Sequence, residues 1–344
     1  MLARFTTGHR RRDLAVVISA IALLAASCSS STSRTVQIPA DGPPTTRSPD
    51  LGRTITDPTS QAEPTDTTVA VAQPDGATQG NVVHVLGSVR STPIESEAWE
   101  ADIPIVQDDL ATIASVNCNL ADDCDLDAIA DWAAGRVDVL NLATSANVLS
   151  VDELLSFQGL LEERGVAVVG FGEVLQSAER PFIFVSGDLT VSVHALSMVA
   201  VPEVQAGEAT AGIAGPPSFS AVLDAVATSR DAEQGAVVIV DWGGLEDRAP
   251  NPEQTLVVEQ LIDAGANAVV GHGPDFLQRF DQIGEGVAAY ALGNTVSTSE
   301  DPLRRDTAVL RLEFARPGRS CLLPATATAQ GPTLDDQDGL ACAG

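Results

Sequence analysis

Lysine is missing: all 19 basic side chains are arginine, set against 47 acids, for a formal charge of -28. A field of that sign excludes nucleic acid and anionic lipid surfaces as charge-driven partners, because both are polyanions. Charged partners are expected to be cationic, and a saline habitat with a GC-rich genome accounts for the bias without any specific electrostatic role. No Cys-x-x-Cys occurs and no histidine lies near a cysteine pair, which argues against a zinc site. P-loop, dinucleotide fingerprint and Ser-His-Asp order are absent too, as is any internal repeat. The apolar stretch "AVVISAIALLAA" falls short of the ~20 residues a membrane-spanning helix needs.

What is present begins with "HRRRDL", then that apolar stretch, then "SCSSSTS". A basic region, a greasy segment and a small-residue junction follow one another in the order of an export signal. Ala25, Ala26 and Ser27 before Cys28 resemble a bacterial lipobox. The resemblance implies a lipoprotein signal peptide over 1–27, acylation of Cys28, and an exported protein anchored by lipid at the outer face of the cell membrane, delivered by Sec or twin-arginine export. Residues 28–80 are rich in Thr, Ser and Pro and poor in large apolar groups, so they read as a disordered linker. Flexible chain of this kind reaches about 5–6 Å times the square root of its length. Four further cysteines form two sequence-local pairs, Cys118 with Cys124 and Cys321 with Cys342. Export makes disulfides the expectation, with buried thiols or other pairings as alternatives.

From Asn81 onward short valine-rich runs alternate with helical segments. "NVVHVL", "VDVLNL", "VAVVGF", "FIFVSG", "LTVSVHAL", "AVVIVDW", "NAVVG", "VAAYALG" and "TAVLRLEF" have the length and β-branched content of strands. "DELLSFQGLLEERG" places Leu154, Phe157, Leu160 and Leu161 on one helical stripe and stops at Gly165. "PEQTLVVEQLIDAG" starts on Pro252 and stops on Gly265. Alternating elements followed by a strand-rich end predict an α/β sandwich of sheets with helices outside, over residues 81–335, with a tail at 336–344.

Several of these segments, in order, resemble the CapA family of capsule and poly-γ-glutamate synthesis proteins. "VVIVDWGGLEDRAPNPEQTLVVEQLIDAGANAVVGHGPDFLQ" and "VAAYALGN" are similar to the family's strand ending in His-Trp-Gly-x-Glu, its Pro and Gln ahead of a helix, its Gly-His-His-Pro-His turn and its Tyr-Ser-Leu-Gly-Asn-Phe. "VDVLNLATSAN" and "HVLGSV" resemble its Ala-Asn-Asn-His segment and its opening Gly-Asp strand. The resemblance implies a calcineurin-like, metallophosphatase-type four-layer αββα sandwich and a metal-dependent phosphoesterase-like centre. It also implies partners among envelope or exopolymer-assembly proteins.

The scaffold positions Trp242, Gly243, Glu246, Pro252, Gln254, Gly293 and Asn294 match that pattern, and the ligand positions depart from it. Ser88 replaces the first Asp; Thr144, Ser145 and Ala146 replace Asn-Asn-His; Asp241 replaces the His before Trp; and Gly271, His272, Gly273, Pro274 and Asp275 stand for Gly-His-His-Pro-His, so that the turn ends on an acid. Losing one outer-shell partner already costs about 10–100-fold in metal affinity, so losing several ligands abolishes binding. The expectation is a non-catalytic binding or scaffolding member with a decayed site and no cofactor. One alternative is a hydrolase using Mn or Mg, with Asp241, Glu246, His272 and Asp275 as a reassigned ligand set, since carboxylates suit hard cations. A lipid-anchored solute-binding protein is the other. Without a cation, Asp241 and Asp275 are expected to repel each other; Glu246 reads as a loop-orienting group. His84 and His194 read as packed strand residues, and Arg304 with Arg305 as a basic pair on a loop.

Overall fold

The strand over Gly235–Asp241 is buried at all seven positions, which an alternating amphipathic strand cannot be; both of its faces are covered. The computed structural model describes residues 81–89, 110–117, 125–144, 149–244, 246–314 and 320–335. The leader, the linker, Cys28, Cys118, Cys124, Ser145, Ala146, Cys342 and the tail lie outside the described residues. Cys321 is disulfide-bonded.

Strands in chain order are β1 (Val82–Val89), β2 (Ala111–Val116), β3 (Val139–Asn141), β4 (Ala167–Val169), β5 (Phe171–Gly172), β6 (Phe182–Ser186), β7 (Leu189–Ser197) and β8 (Gly212–Ile213). They continue as β9 (Gly235–Asp241), β10 (Ala268–His272), β11 (Phe280–Ile283), β12 (Gly286–Ala289), β13 (Asn294–Val296), β14 (Asp306–Glu313), β15 (Cys321–Ala327) and β16 (Pro332–Leu334). The first sheet runs β16-β15-β14-β1-β2-β3-β4, with β13 also paired to β1; the second runs β11-β12-β10-β9-β7-β6, and β5 pairs with β8. Helices are α1 (Leu126–Ala133), α2 (Val151–Glu163), α3 (Leu175–Ala178), α4 (Phe219–Asp231) and α5 (Pro252–Ala264).

Side-chain alternation along β9 and β10 divides the core in two. Val237, Ile239, Ala268 and Val270 pack with residues of the first sheet such as Val85, Ile113 and Val139. Val238, Val240 and Val269 pack instead with Val222 and Val226 of α4 and Val258 and Leu261 of α5. On the other side of the molecule, Ile129 of α1 and Leu154, Phe157 and Leu161 of α2 join the first sheet's core. The layers are therefore α1/α2, first sheet, second sheet, α4/α5: a four-layer αββα sandwich. Each buried Val, Ile or Leu contributes about 1.5–3 kcal/mol relative to exposure.

Local sequence fixes the helix starts. Ser150 accepts from the Glu153 backbone N–H while the Glu153 carboxylate accepts from the Ser150 N–H at 2.7 Å, a reciprocal cap that satisfies two orphan donors. Asn251 and Gln254 do the same for α5, with Pro252 at its first position and Gly265 closing it at φ 121°. Gln254 also donates from Nε2 to Gln278, which in turn donates to the Asp247 carbonyl. One motif thus starts the helix and ties it to the loop beyond β9.

Gly271 sits where backbone passes against an indole. A Cβ there would collide with the Tyr290 carbonyl and with Trp242 Nε1, which are hydrogen-bonded to each other at 2.9 Å. Gly271→Ala is expected to destabilise the protein by about 3 kcal/mol in urea unfolding. A loss under ~0.5 kcal/mol, the range of inert surface changes, would show that the approach is not tight.

Candidate functional site

Four of the polar residues singled out by sequence, Ser88, Asp241, His272 and Asn294, lie where the two sheets face each other, together with Ser115, Asn141 and Ser197. In the first sheet Asn294, Ser88, Ser115 and Asn141 lie in register across β13, β1, β2 and β3. In the second sheet His272, Asp241 and Ser197 lie in register across β10, β9 and β7. Their parity follows from the strands: Asp241 follows Val237 and Ile239 at intervals of two, and His272 follows Ala268 and Val270, so both side chains leave on the inter-sheet face. All seven residues are buried.

One hydrogen bond joins the two rows of this polar seam, and the others run within each sheet. Ser88 Oγ lies 3.2 Å from His272 Nδ1 and joins the sheets. Ser197 donates to Asp241 Oδ2 at 2.7 Å, and the Gly243 N–H donates to Oδ1 at 3.0 Å. Asn141 donates to Ser115 Oγ at 3.1 Å and accepts from the Ala143 N–H at 2.8 Å. Thr144 donates to the Val116 carbonyl. Among the described residues His272 Nε2, Asn294 Oδ1 and Asn117 Oδ1 have no hydrogen-bond partner.

The second acid lies elsewhere. Asp275 ion-pairs with Arg304 Nη1, and Glu246 accepts from Arg304 Nη2 at 2.9 Å. The expected repulsion between Asp241 and Asp275 is corrected by this: Asp275 is neutralised by a guanidinium, and Asp241 is held by a hydroxyl and a backbone N–H. The four residues of the reassigned ligand set are not gathered around one point. Among the described residues no three of His, Cys, Asp and Glu come together as a metal-holding group. A divalent ion needs several such donors, three or more protein ligands for zinc and six or more oxygens for calcium. The described residues do not present such a group.

Arg304 and Asn141 are the members that sequence reasoning undervalued. Arg304 was legible only as half of a basic pair, because its partners lie 29 and 58 residues away. Asn141 ends a strand whose period places it on the seam, a signal the sequence does carry. His84 and His194 are buried on β1 and β7, as expected of packed strand residues. A separate open cleft of about 580 Å³, lined by Val174, Glu179, Arg180, Glu208 and Ala221 among others, contains no seam residue.

Burial lowers the pKa of His272 to about 3 and that of His194 to about 4. Both are neutral in the fold and bind a proton more readily when unfolded, where the value is near 6.5. Below pH 6.5 the unfolded state therefore holds more protons, and stability falls as pH drops toward 3. Each histidine contributes a slope approaching ~1.4 kcal/mol per pH unit in that window. Urea unfolding from pH 7 to pH 4 is expected to show a shallower decline in His194→Gln or His272→Gln than in the wild type. Parallel curves would place these rings in contact with solvent.

Comparison with known proteins agrees with the motifs. The family model of bacterial capsule synthesis protein PGA_cap matches residues 122–299, just over half of the 344-residue chain. The chain is 31% identical over 105 residues to the capsule biosynthesis protein CapA of Bacillus anthracis, covering 29% of this chain and 26% of that one. It is 27% identical over 185 residues to the PGA biosynthesis protein CapA of Bacillus subtilis, covering 52% and 48%. The chain thus matches half or less of the length of these curated relatives. Among solved structures, a putative 5'-nucleotidase from Staphylococcus aureus superposes at a TM-score of 0.43, with 11% identity, over 75% of this chain and 55% of that one. From the matched family model and the order of its motifs, this chain belongs to the bacterial capsule synthesis protein PGA_cap family.

Proposed function

We propose that this protein is a lipid-anchored envelope component of capsule or exopolymer assembly, of the poly-γ-glutamate type, that binds or scaffolds rather than catalyses. One observation carries the reading. Where strand ends of the two sheets converge, the groups present are two serine hydroxyls and two amides in the first sheet, and one neutral imidazole, one carboxyl and one hydroxyl in the second. Six of the seven are engaged with one another, as Ser88 with His272, Ser197 with Asp241 and Asn141 with Ser115. Such a set has neither the charge to hold a divalent cation nor an open acid-base pair facing solvent. The surviving scaffold residues have structural work instead: Trp242 bonds the Tyr290 carbonyl, and Gln254 caps α5. Partners are then envelope or exopolymer-assembly proteins, met by the outer surface. The polyanionic charge makes direct capture of a polyanionic polymer unfavourable.

Two measurements test this reading. The purified protein is expected to carry no stoichiometric metal, to show no rise in unfolding midpoint with Mn²⁺, Mg²⁺, Ca²⁺ or Zn²⁺, and to hydrolyse no phosphoester above background. The midpoint is a sensitive readout, because a ligand bound only by the folded state stabilises it by about 2.7 kcal/mol at a hundred times its dissociation constant. A metal-dependent shift and activity that Asp241→Asn and Asp275→Asn both abolish would establish the hydrolase instead. For the anchor, cells fed a palmitate analogue are expected to label the protein through Cys28, and an unlabelled product that retains residues 1–27 overturns that part.

A further inference from the structure

We infer that Arg304 is the built-in cation of this site, a tethered guanidinium that pairs with Asp275 and Glu246 and straps their two loops over the end of the polar seam. The inference rests on the reading of the seam as unable to hold a metal ion, and it names what supplies positive charge there instead.

Arg304 ends the short turn Pro302–Arg304, which is capped by the Asp301 carboxylate accepting from the Leu303 N–H at 3.0 Å. Its Nη1 pairs with Asp275, its Nη2 reaches Glu246 Oε2 at 2.9 Å, and its Nε lies 3.9 Å from Asp301. The guanidinium also sits 5.0 Å over the Phe276 ring. One planar cation therefore engages three carboxylates and an aromatic face, an arrangement a guanidinium fork satisfies and a single-point ammonium does not. The backbone is tied down as well: Asn294 Nδ2 approaches the Arg304 carbonyl at 3.4 Å and the Asp275 carbonyl at 3.5 Å. Asn294 is the strand neighbour of Ser88, so the strap is anchored on the seam itself.

Burial grades the two links. The Asp275 side chain is 6% exposed, Arg304 31% and Glu246 74%. The inner pair is little screened and carries most of the hold, while the outer pair orients the Glu246 loop and weakens with salt. Arginine keeps its charge at any physiological pH, so the positive charge here needs no supply of metal.

Calcium tests the assignment, because removing the guanidinium leaves carboxylate oxygens facing the position it held. Midpoints are measured in 10 mM CaCl₂ and in NaCl of equal ionic strength, for wild type, Arg304→Gln and Arg304→Lys. The wild type is expected to give the same midpoint in both. Arg304→Gln is expected to melt lower in NaCl and to gain about 3–6 °C with Ca²⁺, from a site with a dissociation constant of ~1 mM. Adding Asp275→Asn to Arg304→Gln is expected to remove that gain. No Ca²⁺ response in a folded Arg304→Gln overturns the inference and leaves the non-metal reading standing. An equal response in the wild type overturns both. If Arg304→Gln does not fold, Arg304→Lys, which keeps the charge and gives up the fork, carries the test by hydrogen exchange. Faster exchange around Glu246 and Asp275 supports the strap, and unchanged exchange at both overturns it.

Discussion

Val237, Ile239 and Asp241 leave β9 on one side and Val238 and Val240 on the other, because successive side chains of a strand alternate. The rest of the site depends on that geometry. Two sheets packed face to face give every central strand two apolar tasks, one toward the opposing sheet and one toward α4 and α5. A polar residue placed at the carboxyl end of such a strand is then delivered either into the gap between sheets or under a helix. Asp241, His272 and Ser197 lie in register and have the parity that delivers them into the gap, where His272 meets Ser88.

That placement sets the electrostatics. In a gap closed to water a carboxyl group or imidazole must find hydrogen bonds inside the protein or lose its charge. His272 takes the second course and stays neutral. Asp241 takes the first, with Ser197 and the Gly243 N–H as donors. Asp275, at the margin, is matched by Arg304. The region is organised as a sequence of local solutions, with Asp241 and Asp275 each answered by its own neighbours and His272 bonded through Nδ1.

Every run read as a strand is a strand, and both helices named from periodicity begin within a residue of the expected position. Three of the elements left unnamed share a reason. "ATIASV" of β2 and "GPTL" around β16 carry few large apolar groups, and "FSAVLDAVATSRD" of α4 has a weak stripe, Val222 and Val226, diluted by Ser, Thr and Ala. Their burial comes from neighbours and not from their own contrast. In the site, the departures at Ser88, Thr144, Asp241 and Asp275 were legible because the surrounding scaffold kept its spacing. The partners of those residues were not.

The sequence by itself determined nine strand runs and two of the helices, the start of α5 at Pro252 and the glycine stops of both helices, and which ligand-type residues are missing, since periodicity, turn chemistry and residue identity are local properties of the chain. Only the tertiary structure decided that Ser88 meets His272 across 184 residues and that Arg304 closes on Asp275 and Glu246. Those pairings arise from how two sheets stack and where a loop crosses their end. No interval along the chain encodes a distance between elements brought together by packing.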